Sequence, residues 1–171
     1  MMDVSVLFDD YFSSNDRIIV DTNVLIYVYC PINSEAKEGI VSHYSMMLNK
    51  IQTSGASVFI NSLIVSEFFN VWAKLDFKRS GLKDYKNEYR ASDRFKTLQK
   101  RIFKELDKFF KSFNVTKIDD NFSGMNLTTM YQAFPASDFN DLVIVNNAIF
   151  YKCKILTEDG DFDKYNIPVI H

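Results

Sequence analysis

Five acidic residues lie next to apolar segments of the kind that a globular chain buries. They are Asp21, Glu67, Asp141, Asp159 and Asp161. The first follows the short β-branched run 17–20, and the last two follow a second apolar run at 154–157. Glu67 and Asp141 fall on the apolar faces of predicted helices. Because an unpaired buried charge is costly, each carboxylate needs a partner or a function.

Carboxylates brought together in one place favour a bound cation. Two of them about 4 Å apart repel by roughly 4 kcal/mol at an effective dielectric constant of 20. A purely oxygen ligand set selects Mg²⁺ or Mn²⁺ rather than zinc. Such an ion lowers the pKa of a bound water and stabilises charge on a phosphate during displacement. The acids therefore predict metal-dependent chemistry on phosphate esters.

Each acid also has an ordinary structural explanation. Asp21 would cap a helix that begins after it, and Glu67 would pair with Lys74. Asp138 lies in a predicted first helical turn, where an acid favours the helix dipole. The acids around Gly160 would form a surface turn. The prediction of a site depends on all of them together.

Strands and helices alternate along the chain. Short apolar runs predict strands at 17–20, 57–60, 115–118, 154–157 and 168–170. Helical patterns are predicted from 24, over 34–53, from Asn61 or Ser62 to about Arg79, over 83–113, and from a Ser137 cap to Phe150. Residues 119–136 are ambiguous between loop and short helix. The alternation predicts an α/β sandwich with a mainly parallel central sheet, formed by a single domain over 17–171 after an N-terminal extension at 1–16.

Composition favours an ordered cytoplasmic protein. The 171 residues carry a formal net charge of −2, and 47% are hydrophobic. Cys30 and Cys153 have no metal-like spacing and are predicted to be reduced core thiols. No apolar run is long enough to span a bilayer, and residues 1–16 lack the basic region of a signal peptide. We therefore expect no membrane partner.

A basic stretch lies within this acidic chain. Residues 74–111 contain thirteen basic and six acidic residues, with Tyr85 and Tyr89 among them. A basic stripe can follow a phosphate backbone, and tyrosines can stack on unpaired bases. The predicted RNA-binding residues are Lys83, Lys86, Arg90 and Arg94. The alternative is a solvated helix face with internal ion pairs.

Four segments in order resemble the PIN-domain family. They are IIVDTNVLIY at 18–27, INSLIVSEFFNVW at 60–72, SDFNDLVIVNNAIFYKCKILTEDGDF at 137–162, and the terminal IPVIH. The resemblance implies a three-layer α/β/α sandwich and a Mg²⁺- or Mn²⁺-dependent endoribonuclease. Many small members are toxins of VapC-like toxin–antitoxin pairs, inhibited by a small protein and often dimeric. It therefore also implies RNA, an antitoxin and a second copy of the chain as partners.

The resemblance assigns roles to individual residues. Asp21, Glu67 and Asp141 match the family's first three acids, and Asp159 matches the acid of its T-x-D segment. Asp161 is a nearby alternative or fifth acid. Asn23 and Thr157 match polar residues that support the first acid and the waters of the metal, and Asp138 is a further supporting acid.

Two other functions compete with this interpretation. A haloacid-dehalogenase-like phosphatase would need a second aspartate two residues after Asp21, where this chain has Asn23. A PIN-like RNA-binding or scaffold module without its metal is the non-enzymatic alternative. Metal-dependent cleavage of single-stranded RNA distinguishes an enzyme from such a module.

Overall fold

A parallel five-stranded sheet forms the centre of the computed structural model, which describes residues 12–32 and 38–171. The strands are β1 (Arg17–Val20), β2 (Ser57–Ile60), β3 (Asn114–Lys117), β4 (Lys154–Leu156) and β5 (Val169–Ile170). Their order is β3-β2-β1-β4-β5, and every neighbouring pair is parallel. All five predicted strands are confirmed to within one residue at each end.

Helices connect and cover the strands. They are α1 (Thr22–Tyr29), α2 (Glu38–Ser54), α3 (Ser62–Ser80), α4 (Asp93–Ser112), α5 (Leu127–Ala133) and α6 (Phe139–Tyr151). The chain runs from β1 to β2 to β3 and then crosses back past β1 to form β4. Because crossovers between parallel strands are right-handed, α1–α4 lie on one face of the sheet and α6 lies on the other. The fold is the predicted three-layer α/β/α sandwich with a parallel sheet.

The strand order creates a switch point between β1 and β4. The connection from β1 leads toward β2, whereas β4 lies on the other side of β1. In open parallel sheets, ligands bind outside the carboxyl ends of the strands at such a point. Asp21 directly follows β1 and Thr157 directly follows β4, so both lie at this position.

The sheet is buried on both faces, as a parallel sheet covered by helices must be. Ile18, Ile19 and Val20 are each at most 1% exposed, and the last two residues of β4 are fully buried. This continuous apolar character gave the strands their clear signal in the sequence. It also explains why Asp21 is buried, because the residue that follows a fully buried strand remains close to the core.

The predicted helix over 83–113 is wrong as a continuous element. Tyr85–Tyr89 forms a single π-helical turn, and α4 begins only at Asp93. The Ser92 side chain accepts a hydrogen bond from the backbone N–H of Phe95 and caps α4. Serine competes with the helix ladder in this way, which favours a new helix start over continuation.

Two other predicted boundaries differ. Asp138, not Ser137, caps α6, because its side chain accepts a hydrogen bond from the backbone N–H of Asn140. β4 ends at Leu156, which leaves Thr157 beyond the strand. Residues 34–37 of the second predicted helix, and residues 1–11 of the N-terminal extension, lie outside the described residues. Within the described part of the chain, the helices are all too short or too polar to cross a membrane.

Candidate metal centre at the carboxyl edge of the sheet

Asp21 is fixed at the switch point by three hydrogen bonds. Its backbone N–H donates to the carbonyl of Leu156, which anchors it to the end of β4. Its carboxylate accepts from the backbone N–H of Thr22 at 2.6 Å and from the Thr157 hydroxyl at 2.7 Å. Asp21 is therefore the N-cap of α1, which was one of the two roles predicted for it. Its second carboxylate oxygen is held toward the end of β4 by the hydroxyl of Thr157.

Burial makes Asp21 an unusual carboxylate. The residue is 5% exposed, and loss of hydration raises its pKa to about 6. The hydrogen bonds from Thr157 and Thr22 oppose this shift, while the charges of Glu67 and Asp159 add to it. Two other acids thus lie close enough to Asp21 to disfavour its ionised form.

Glu67 reaches the site from the second turn of α3. It is half-buried, and its carboxylate accepts a hydrogen bond of 3.2 Å from the hydroxyl of Thr22. Thr22 is the first residue of α1, so α1 orients both Asp21 and Glu67. The predicted alternative, an ion pair with Lys74, does not form, although both residues lie in the described ranges.

Asp141 approaches from the opposite layer, in the first turn of α6. Partial burial raises its pKa to about 6, and the neighbouring charges of Asp138, Asp159 and Asp21 contribute in the same direction. Lys164 opposes the shift. Asp138 itself is exposed and serves as the α6 cap, so its observed role is structural.

Asp159 and Asp161 differ in position. The backbone N–H of Asp159 donates to the Thr157 hydroxyl at 3.0 Å, and its charge acts on both Asp21 and Asp141. Asp161 is exposed, and its backbone N–H donates to the Asp159 carboxylate. The geometry favours Asp159 over Asp161 as the fourth acid.

The donor chemistry of this cluster fits a hard divalent cation, although its side chains are not in ligating positions. Among residues 12–32 and 38–171, no three His, Cys, Asp or Glu side chains stand close enough to hold one ion. The four acids nevertheless supply only oxygen ligands, and neighbouring acidic charges raise the pKa values of Asp21 and Asp141. Oxygen ligands of this kind are the ones that Mg²⁺ and Mn²⁺ prefer.

A sequence profile described as PIN domain matches residues 18–168. The chain belongs to the PIN-domain family. The fold of this PIN domain is similar to that of a chain in the crystal structure of VapBC2 from Rickettsia felis bound to a DNA fragment from their promoter. The TM-score is 0.56 with 17% sequence identity, over 90% of this chain and 97% of that one. At this identity the likeness concerns the fold alone, and no curated protein matches the sequence.

The sequence did not reveal several polar groups of the PIN-domain site. The fully buried Tyr44 places its hydroxyl 3.0 Å from the carbonyl of Thr157 and beside the Glu158 carboxylate. Burial, together with Glu158, holds the pKa of Tyr44 well above its usual value. Thr22 could have been found from its place beside Asp21, but Tyr44 gave no local signal, because it contacts residues more than 110 positions away.

The other predicted site residues lie outside the cluster of acids. Asn23 is exposed in the first turn of α1. Lys83, Lys86 and Arg90 are exposed around the π-helical turn. That turn packs against the last part of α3, whereas Glu67 lies near its start.

Arg94 forms an ion pair instead of presenting a free guanidinium. Two of its nitrogens lie 2.7 Å from the two carboxylate oxygens of Asp76. The Tyr89 hydroxyl donates to the same carboxylate, and Tyr89 is fully buried. Tyr89 therefore cannot stack on a base as predicted. Asp76 lies nine residues beyond Glu67, about 14 Å along the helix axis.

Four of the thirteen basic residues of the basic stretch form ion pairs within it, Arg94 among them. Three ion pairs lie along α4, between Lys96 and Asp93, Lys108 and Glu105, and Lys111 and Asp107. This pattern agrees with the predicted alternative of a solvated face. Lys83, Lys86 and Arg90, in and beside the π-helical turn, form none of these ion pairs and remain candidates for phosphate contacts.

Proposed function

We propose that this PIN-domain protein is a metal-dependent endoribonuclease that hydrolyses RNA phosphodiester bonds. The observation that carries the proposal is the position of Asp21. It is buried at the switch point, held by Thr157, and within electrostatic reach of Glu67 and Asp159. A fold that only needed a cap for α1 would not require further acids around it.

Asp21, Glu67, Asp141 and Asp159 would hold the ion, with Asp161 as an alternative ligand. A bound Mg²⁺ or Mn²⁺ would supply a water of lowered pKa and positive charge beside the phosphate. Oxygen ligands alone, together with the raised pKa values of Asp21 and Asp141, support this choice.

The chain's own residues orient the acids. The Thr157 hydroxyl holds one oxygen of Asp21, and the Thr22 hydroxyl holds one oxygen of Glu67. The second oxygen of Asp21 accepts from the Thr22 backbone N–H, so an ion would bind a remaining lone pair of this carboxylate, whereas Glu67 keeps its second oxygen for a ligand or a water. Asp141, half-buried and with its pKa raised to about 6 in the metal-free protein, would complete the ligand set from the α6 side.

Lys83, Lys86 and Arg90 would contribute to substrate binding through phosphates. They are exposed within or beside the π-helical turn, and their contribution would be electrostatic and independent of RNA sequence. Arg94 would contribute less to binding, because Asp76 occupies its guanidinium.

We further propose that the protein is the toxin of a toxin–antitoxin pair, acting in the cytoplasm as a homodimer and inhibited by a small antitoxin protein. PIN-family membership and the likeness in fold to a chain of the VapBC2 structure support this. Co-expression with the product of a small adjacent gene, followed by co-purification and loss of nuclease activity, would test it.

Cleavage of single-stranded RNA tests the nuclease directly. The wild type should cleave with Mg²⁺ or Mn²⁺ and stop in excess EDTA. Asp21→Asn keeps an oxygen for the Thr22 cap but removes the charge, so it should be folded and inactive. RNA binding without cleavage under every metal condition would instead support the inactive RNA-binding module.

A further inference from the structure

A cavity opens at the same edge of the sheet as the acids, beyond the ends of β2 and β3. Its volume is about 320 Å³, near the lower end of the range for small-ligand pockets. The first turn of α3 and the side chain of Phe110 on α4 form its walls, with Lys117 at the end of β3. None of the acids assigned to the metal centre lines it.

The cavity combines an aromatic face with a cation on a flexible side chain. The Lys117 ammonium lies 5.0 Å from the centroid of the Phe110 ring. At the rim, the Ser62 hydroxyl donates to the Asp120 carboxylate, with distances of 3.0 and 3.3 Å to its two oxygens. An aromatic face beside a cation, with a polar rim, is the set of groups that binds an unpaired nucleobase and its phosphate.

The register of the sheet places this cavity close to Asp21. Ile19 pairs with Phe59, so Asp21 is level with Asn61, and Ile60 pairs with Lys117. Adjacent strands are about 4.8 Å apart, so the end of β3 lies about 10 Å from the end of β1. A single strand bound at Asp21 would reach the cavity within one or two nucleotides.

Helix α3 separates the metal centre from the cavity. Glu67 contacts Thr22 of α1, whereas Val65 lines the cavity. Residues two apart on a helix point to nearly opposite sides. The amino end of α3, with its partial positive charge, lies between the two places and would favour a phosphate of the connecting backbone.

We propose that the cavity is a nucleobase subsite of the nuclease. It binds one unpaired base of the RNA strand, next to the cleaved phosphate, and this base stacks on Phe110. Lys117 moves away from the Phe110 ring and contacts the phosphate beside that base. This inference rests on the proposed function. A purely apolar protein side chain is a poorer occupant, because it would use neither the charge of Lys117 nor the polar rim formed by Ser62 and Asp120.

The test is an abasic scan of RNA binding in EDTA, where the nuclease does not cleave. Fluorescence anisotropy would measure the affinity of single-stranded oligonucleotides, each with one base removed at a different position. In wild type, one position should be sensitive, with a loss of about 5- to 150-fold for the stacked base. Phe110→Leu should bind the intact strand that much more weakly and lose the sensitivity at that position.

Two variants serve as controls. Phe110→Tyr keeps an aromatic face and should keep the sensitive position. Phe103→Leu replaces another α4 aromatic, 57% exposed and outside the cavity lining, and should bind like wild type. A thermal melt checks that Phe110→Leu is folded, since Phe110 also contacts Phe109. Should Phe110→Leu fail to fold, Lys117→Met must weaken binding of the intact strand instead.

The outcomes separate the subsite from the nuclease. The proposed subsite is wrong if wild type binds no oligonucleotide or shows no position sensitive to base removal. It is also wrong if Phe110→Leu has the same sensitivity profile as wild type, even when the protein cleaves RNA. A change in oligomeric state on Phe110→Leu, with RNA binding intact, would also overturn it in favour of a protein interface. A sensitive position that depends on Phe110, in a protein that never cleaves RNA, would support the subsite and contradict the nuclease.

Discussion

The Thr157 hydroxyl donates a hydrogen bond of 2.7 Å to the Asp21 carboxylate, across 136 positions of sequence. It connects the residue that follows β4 to the residue that follows β1, at the point where the strand order reverses. The bond favours the ionised form of Asp21 and opposes the effect of burial. Thr157 therefore both orients the carboxylate and limits the rise of its pKa.

Replacing Thr157 by valine should impair catalysis more than folding. Valine has nearly the same shape but cannot donate to Asp21, so we expect activity to fall about 10- to 100-fold, as for other residues that orient a metal ligand. The pKa of Asp21 should rise further, which moves the acidic limb of the pH–rate profile to higher pH. Cleavage rates measured between about pH 5 and 8 would show both effects.

Serine at position 157 is the matched control. It keeps the hydroxyl, so Thr157→Ser should retain most of the activity and the wild-type pH profile. A valine variant with an unchanged profile would show that the hydrogen bond does not act on Asp21.

The raised pKa of Asp21 predicts how the metal-free protein responds to pH. The folded state binds the proton more tightly than the unfolded chain, so this group stabilises the fold fully below its ordinary pKa of 3.8. That contribution is lost as pH rises toward about 6, and it amounts to at most about 3 kcal/mol. Asp21→Asn should lose this dependence and be more stable than wild type at neutral pH.

Urea unfolding in EDTA, at about pH 4 and about pH 7, would measure this difference. The quantity to compare is the difference in free energy of unfolding between wild type and Asp21→Asn at each pH, because the other carboxylates titrate in both proteins. If the variant is the less stable protein at neutral pH, Asp21 functions mainly as a cap and hydrogen-bond partner.

The basic residues should separate into structural and binding groups. Arg94→Gln removes the ion pair from the nearly buried Asp76 carboxylate, so we expect a loss of about 1–3 kcal/mol in the free energy of unfolding. Its effect on the salt dependence of RNA binding should be small.

Neutralising the π-helical turn should have the converse effect. The triple variant Lys83→Gln, Lys86→Gln and Arg90→Gln should raise KM and lose at most about 1 kcal/mol of stability, from the contact of Arg90 with the Phe95 ring. The slope of log affinity against log salt should fall by about 2, because each phosphate that a cation neutralises contributes roughly 0.7 to it. A triple variant that binds RNA like wild type at every salt concentration would mean that this turn is only a solvated surface.

Local patterns predicted most of the fold. The strands stood out because a parallel sheet buried on both faces needs continuous apolar runs, such as 18–20. Asn61 and Gly81 marked the ends of α3, where the structure has a side-chain cap and a left-handed glycine. The break between 85 and 93 was missed because Phe95, Leu98 and Ile102 recur at helical spacing, while residues 83–92 contain no proline or glycine that would mark an interruption.

The candidate site was predictable in its residues but not in its contacts. Asp21, Glu67 and Asp141 were chosen because each lies beside apolar neighbours. The hydrogen bond from Thr22 to Glu67 and the contacts of Tyr44 depend on partners from distant parts of the chain, which no spacing along the sequence indicates. Arg94 resembled the other basic residues because its partner, Asp76, lies on a different helix.

Metal binding distinguishes the proposed site from a purely structural cluster of acids. At about 100 times its dissociation constant, Mn²⁺ should stabilise wild type by roughly 2.7 kcal/mol. That corresponds to a rise of about 5–10 °C in melting temperature for a protein of this size. Asn variants of Asp21, Asp141 and Asp159 should lose most of the rise, while Asp161→Asn keeps it. If Mn²⁺ shifts all of these proteins equally, the ion binds elsewhere and the assignment of the metal centre is wrong.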